Sequence, residues 1–226
     1  MPDTQPEGYL ARPASGAGAP VLVLHAWWGL NDTLKAFCDR LAQAGFLAFA
    51  ADLFHGKVAQ TIQEAGALSS AAEENYPQLR AAAAAAAGYL YELAGRPAGG
   101  VAAVGFSFGA TYALDLPATH PDLVKAVVVF YGSWVESHGN SRAAYQGHFA
   151  EHDPYEPSES VDALEASLRK AGRPVEFFHY PGTGHWFFEP DRPDAYDAQA
   201  AGLAWERTLA FLQRTIAAWP TPKGGA

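Results

Sequence analysis

Short apolar runs alternate with amphipathic stretches along most of this chain, at spacings that suit strands followed by helices. Val21-Leu-Val-Leu-His25 is apolar at odd and even positions alike, the pattern of a strand covered on both faces. Phe46 to Ala51, Val101 to Val104, Val124 to Tyr131, Ala143 to Phe149 and Pro174 to Tyr180 read the same way. Tyr9 to Arg12 reads as a first edge strand, followed by a Gly/Ala/Pro turn through Pro20. A helix is expected from Asp32, as its cap, to about Ala44, with Leu34, Phe37, Cys38 and Leu41 on one stripe. Val58 to Gly95 is helical in pattern, broken near Asn75-Tyr-Pro77. The alanines 81–87 belong to a closely packed helix and not to a linker, because alanine is the strongest helix former. Further helices are expected after Ser107, over 158–171, and from Ala195 to Ala217. This alternation predicts one α/β domain over 1–226, a mostly parallel central sheet with helices on both faces, and loosely held ends at 1–8 and 220–226.

Composition narrows the classes of function. Apolar residues make up 49% and charged residues 17%, which excludes a disordered chain. The net charge of −9, with no local basic cluster, argues against nucleic acid or an anionic membrane as partner. No apolar run reaches transmembrane length, and the start, Met1 to Gly8, lacks the pattern of a signal peptide. A single cysteine, Cys38, excludes an internal disulfide and falls on the apolar stripe of its helix as core filling. The expectation is a cytoplasmic protein, monomeric or a small homo-oligomer, acting on a small molecule.

In parallel sheets the chemistry sits beyond the carboxyl ends of the strands. There the sequence places Gly105-Phe-Ser-Phe-Gly109 between a strand and a helix, the arrangement of a nucleophile elbow. Side chains at 105 or 109 would collide with the neighbouring helix or strand. A serine needs a base to take its proton, and the base needs a third group to fix its tautomer. His185, in Pro181-Gly-Thr-Gly-His, is read as a base on a flexible loop, and Asp153, after a strand, as the acid. Glu151, Glu156 and Asp122 are rivals for the acid, and a turn or capping role is the alternative for Asp153 itself. The oxyanion of acyl transfer needs two preset donors, for which Phe108 N–H and Trp27 N–H are the candidates. Trp28, Trp134 and Trp186 are expected to line the substrate pocket, core packing being the alternative for the Trp27-Trp28 pair. Among the other histidines only His25, at the end of the strand nearest the elbow, stands out. His148-Phe-Ala-Glu-His152 fits a zinc motif, but that motif needs a helix. On the strand expected here the two histidines would lie about 13 Å apart, so no metal and no cofactor are expected.

These segments together resemble the dienelactone hydrolase family of α/β-hydrolases over nearly the whole chain. The likeness is carried by Val21 to Asn31, Phe46 to Leu53, Gly105 to Ala110, Pro181-Gly-Thr-Gly-His-Trp-Phe187 and Trp205 to Leu212. The resemblance implies the α/β-hydrolase fold and a Cys–Asp–His triad that opens a carboxylate-bearing lactone. Ser107 stands where the family has its cysteine, and Ala26 where it has the glutamate that governs that cysteine's ionisation. The family's carboxylate-binding arginines have no counterpart: Glu189 lies four residues after His185, no Arg or Lys lies between Lys57 and Arg80, and Arg192 is a weak substitute. The expected activity is therefore a serine hydrolase of neutral apolar or aromatic esters or lactones. The alternatives are a serine peptidase or amidase on the same fold, and a scaffold without catalysis.

Overall fold

The computed structural model describes residues 5–135 and 138–216, so the tail expected from 220 lies outside it. The elements are β1 (Gly8–Ala11), β2 (Pro20–Leu24), α1 (Asp32–Gln43), β3 (Leu47–Ala51), α2 (Ile62–Glu74), α3 (Tyr76–Leu93), β4 (Val101–Phe106), α4 (Phe108–Thr119), β5 (Val124–Phe130), β6 (Ala144–His152), α5 (Ser158–Lys170), β7 (Val175–Gly184) and α6 (Ala198–Ile216). Seven strands form one sheet in the order β1-β3-β2-β4-β5-β6-β7. The edge strand β1 pairs antiparallel with β3, and every other pair is parallel.

The continuous apolar runs are explained by two separate cores. In β2, Val21 and Val23 face one core while Leu22 and Leu24 face the other, and β4 splits in the same way. One core takes Leu34, Phe37 and Leu41 from α1 and Ala204, Phe211 and Leu212 from α6. The other takes Leu79, Ala83, Ala86, Ala87 and Leu90 from α3, with parts of α4 and α5. Each such Val, Leu or Phe contributes roughly 1.5–3 kcal/mol of burial. The alanine run lets α3 lie close to the sheet because its inward residues add no bulk.

Two local expectations are corrected. The cap of α1 is Asn31, whose Oδ1 accepts the Leu34 N–H at 3.1 Å from an extended backbone. Asp32 is in the first turn, where its charge faces the positive end of the helix. The strands β6 and β7 run past the apolar pattern, with His152 paired to Gly184. Pro181 to Gly184 is therefore strand and not a flexible loop. Backbone pairing continues there although the side chains have left the core.

Candidate active site

Ser107 sits between β4 and α4 with φ 47° and ψ −113°, outside the regions that L-residues favour. Such a residue stores about 1–3 kcal/mol unless its surroundings hold it. The glycines on either side do so by contact. A Cβ at Gly105 would stand 2.6 Å from Ala110 Cα, and one at Gly109 would stand 2.3 Å from the carbonyl oxygen of Leu24. Gly132, after β5, also closes on the elbow: its Cβ would lie 2.7 Å from the Ser107 carbonyl oxygen. The turn is thus wedged between β2, α4 and the loop after β5.

The structure brings Ser107, His185 and Asp153 together from three strand ends. Ser107 Oγ lies 2.8 Å from His185 Nε2, and His185 Nδ1 lies 2.7 Å from Asp153 Oδ2. The side chains of His185 and Asp153 are each only 4% exposed, so both hydrogen bonds are largely shielded from water. Asp153 Oδ1 accepts the N–H groups of Tyr155 and Glu156 at 2.9 and 3.0 Å. With Oδ1 occupied in this way, Oδ2 is turned to the imidazole. A carboxylate at Nδ1 holds the proton on that nitrogen and leaves Nε2 to accept from the serine hydroxyl.

The rivals for the acid are engaged elsewhere. Glu156 accepts from Ser133 N–H at 2.8 Å and Ser133 Oγ at 2.5 Å, bracing the loop after β5 against the one after β6. Burial, helped by the nearby charge of Asp153, pushes its carboxyl up against those bonds. Glu151 accepts the Gly182 N–H, and Asp122 pairs with Arg142 at the surface.

Several other expectations resolve differently. His25 is fully buried, accepts from Leu53 N–H through Nε2 at 3.1 Å and meets the Ala26 carbonyl through Nδ1 at 2.7 Å. Desolvation lowers its pKa, so it is a neutral strut joining the ends of β2 and β3. His148 is buried in β6 against Tyr180 Oη, while His152, past a register shift at the end of the same strand, is exposed. Glu189, four residues after His185, is fully buried and accepts from Tyr131 Oη at 2.7 Å.

The tryptophans separate into two places. Trp27, Trp28 and Trp186 form one cluster with ring centroids 5.3–5.9 Å apart. Trp28 is 2% exposed, so most of it is core and only an edge reaches the cavity. That cavity, about 420 Å³, touches Trp28, Tyr155, His185, Trp186 and Arg192. Trp134 lies instead beside Tyr76, in a second cavity of about 330 Å³ that Phe108 also lines. Phe108 is the first residue of α4, and its N–H, like that of Trp27, makes no turn or loop hydrogen bond among the described residues. One cavity therefore reaches the histidine and the other the residue after the serine.

Tyr155, and Glu73, Tyr76, Thr111 and Tyr112 around the second cavity, were not singled out in the sequence. The Tyr155 ring lies tilted against His185 with centroids 5.1 Å apart, two residues after Asp153, so its place in Asp153-Pro-Tyr155 was a usable signal. Glu73 and Tyr76 come from helices with no motif nearby and carried none.

The model of the dienelactone hydrolase family matches residues 7–216. The chain belongs to that family. Protein usf of Aquifex pyrophilus is 34% identical over 92% of this chain and 93% of its own. A protein of Aquifex aeolicus (strain VF5), provisionally named carboxymethylenebutenolidase, is 32% identical over 91% and 92%. Among solved structures, a dienelactone hydrolase-like promiscuous phosphotriesterase from metagenomic libraries is 25% identical, covering 92% of this chain and 92% of that one with a TM-score of 0.80. The fold is accordingly that of the α/β-hydrolases, and the chain is a member of a hydrolase family. Among the described residues no helix is long and apolar enough to cross a membrane.

Proposed function

We propose that the protein is a serine hydrolase that cleaves carboxylic esters or lactones through an acyl-enzyme. The observation that carries this reading is the unbroken hydrogen-bond chain from Ser107 Oγ through His185 to Asp153, set on a strained elbow.

Ser107 Oγ attacks the ester carbonyl carbon while its proton passes to His185 Nε2. Asp153 stays ionised and stabilises the imidazolium. The carbonyl oxygen, now an oxyanion, takes N–H donors from Phe108 at the start of α4 and from Trp27 after β2. The C–O bond then breaks as His185 returns the proton to the leaving alkoxide, giving free alcohol and an acylated serine. Water repeats the sequence, losing a proton to His185, and releases the acid and the serine hydroxyl.

Neutral esters suit the site better than those carrying a carboxylate. The cavity at His185 has an aromatic wall, and Arg192 there is stacked 3.7 Å over the ring of Trp28 with Nη2 3.2 Å from Asp191. Asp194 lines the same cavity, so no positive charge is left in excess. The test is a fluorophosphonate probe followed by peptide mass spectrometry, with a panel of esters and lactones graded by size and charge. Adduct at Ser107 together with ester turnover is expected; an unlabelled protein that turns over nothing would favour a scaffold without catalysis.

A further inference from the structure

From the cavity beside Phe108, we infer a subsite for a cationic ammonium group carried by the substrate, an inference that rests on the serine-hydrolase reading. Four separate segments build this cavity: Glu73 from α2, Tyr76 from α3, Phe108, Thr111 and Tyr112 from α4, and Trp134 from the loop after β5. The rings form a continuous wall. Trp134 and Tyr76 are 6.1 Å apart, Tyr76 and Tyr112 are 5.6 Å apart, and Tyr112 and Phe108 are 5.2 Å apart. Aromatic faces carry negative potential and attract a weakly hydrated cation such as a quaternary ammonium.

An aromatic wall alone would take a neutral alkyl group as well. Glu73 is what selects charge. Among the described residues it is the one charged residue in the lining, and no Lys, Arg or His accompanies it there. Among the described residues it makes no ion pair, although ten such pairs occur elsewhere. Its field reaches into the wall: the Tyr112 hydroxyl is pushed up by burial first, then by Tyr76 and by Glu73. Phe108 both lines the cavity and follows the nucleophile, so a group seated here belongs to an ester whose carbonyl lies at Ser107.

Two esters of one acid provide the test, the choline ester and the 3,3-dimethylbutyl ester, in which carbon replaces the charged nitrogen at nearly the same shape. With the full chain at low salt, kcat/KM for the choline ester should be higher by about tenfold, the combined worth of a cation–π contact and an exposed ion pair. Glu73→Gln should bring that ratio down toward one, Glu73→Lys should take it lower still, and Trp134→Leu should also reduce it. A native ratio at or below about one, or a preference that Glu73→Gln leaves intact, overturns the subsite. Calorimetry on Ser107→Ala separates this inference from the reading beneath it. Choline-ester binding that weakens with Glu73→Gln, in a protein whose native form hydrolyses neither ester, would sink the hydrolase reading and keep the subsite. No choline-ester binding, with the neutral ester still hydrolysed, would do the reverse.

Discussion

Tyr131 Oη donates to Glu189 Oε1 at 2.7 Å, and the ring of the same tyrosine packs against His185 with centroids 4.9 Å apart. A glutamate thus lies one residue behind the His185 imidazole, fully buried. Burial pushes its carboxyl up to about 8, with the charge of Asp191 adding to the effect and the Tyr131 bond opposing it. An unfolded glutamate loses its proton near 4.5, whereas the folded chain holds it until about 8. Between those limits the unfolded state binds fewer protons, so this residue's contribution to stability falls as pH rises. Glu189→Gln keeps an acceptor for Tyr131 and has no proton to lose. It is expected to melt above the native protein at about pH 8, by a margin that shrinks toward about pH 5. Melting curves at both values check this, and a margin independent of pH would refute it.

His148 acts in the opposite direction. Burial, with a smaller contribution from the Arg207 charge, lowers its pKa from 6.5 to about 3. Its ring meets Tyr180 Oη at 2.7 Å and Thr208 Oγ1 at 3.0 Å in the neutral form. The unfolded histidine takes up a proton below about 6.5 and the folded one does not, so the stability it gives is present above that value and is lost as pH falls toward 3. Denaturant midpoints of His148→Gln should therefore depend less on pH than those of the native protein over this acid range. Parallel profiles for the two proteins would show that another group sets the acid limit.

The triad variants have a definite ranking. Ser107→Ala and His185→Ala should each lower kcat by about 10⁴-fold or more, and the double variant should be little worse, because the two act as one unit. Asp153→Asn should cost somewhat less, since its Oδ1 bonds to Tyr155 and Glu156 hold the loop even when Oδ2 becomes an amide. Glu156→Gln should retain most of the turnover. Near-native activity in Asp153→Asn, with loss in Glu156→Gln, would exchange their roles.

Gly109→Ala separates the elbow's geometry from its chemistry. The new Cβ would meet the Leu24 carbonyl oxygen at 2.3 Å and that of His25 at 2.7 Å, both backbone atoms of a buried strand end. Neither can swing aside, so α4 must move away from β2. A loss of roughly 1–3 kcal/mol or more in unfolding free energy is expected, with activity falling further than stability explains. Gly66→Ala, in α2 with nothing within 4 Å of its Cβ, is the control and should leave activity unchanged while raising stability by up to about 1 kcal/mol.

What the sequence disclosed follows from what is local. The strands β2, β4 and β5 are covered on both faces, and their unbroken apolar runs announced them. The elbow needs glycines at fixed offsets, and the order serine, acid, histidine comes from the order of the strands. Boundaries set by backbone pairing alone, such as β7 continuing to Gly184, leave no hydrophobic trace. The fate of Glu189 was also hidden. A glutamate after a histidine reads as surface, and only the packing of Tyr131 beneath it makes burial of an acid tolerable. The second cavity draws on four segments far apart in the chain, so no single window could contain it.

The charge preference proposed for the His185 cavity turns on Asp191. This carboxylate accepts from Asn31 Nδ2 at 3.0 Å and Thr33 Oγ1 at 2.7 Å, which fixes it against the start of α1, and it holds Arg192 at 3.2 Å. Held so, the guanidinium lies on Trp28 with its charge offset by Asp191, and a carboxylate entering the cavity would lose hydration against a cation already neutralised. Asp191→Asn keeps a side chain able to bond Asn31 and Thr33 and removes the offsetting charge. In the native protein an ester with a free carboxylate should show lower kcat/KM than the same ester with that group methylated. In Asp191→Asn the ratio of anionic to neutral substrate should rise several-fold, and the rise should shrink as salt is added. Adding Arg192→Gln should cancel it. A native preference for the anionic ester would mean that Arg192 already serves the substrate, and the carboxylate-bearing lactone would then become the substrate class to pursue.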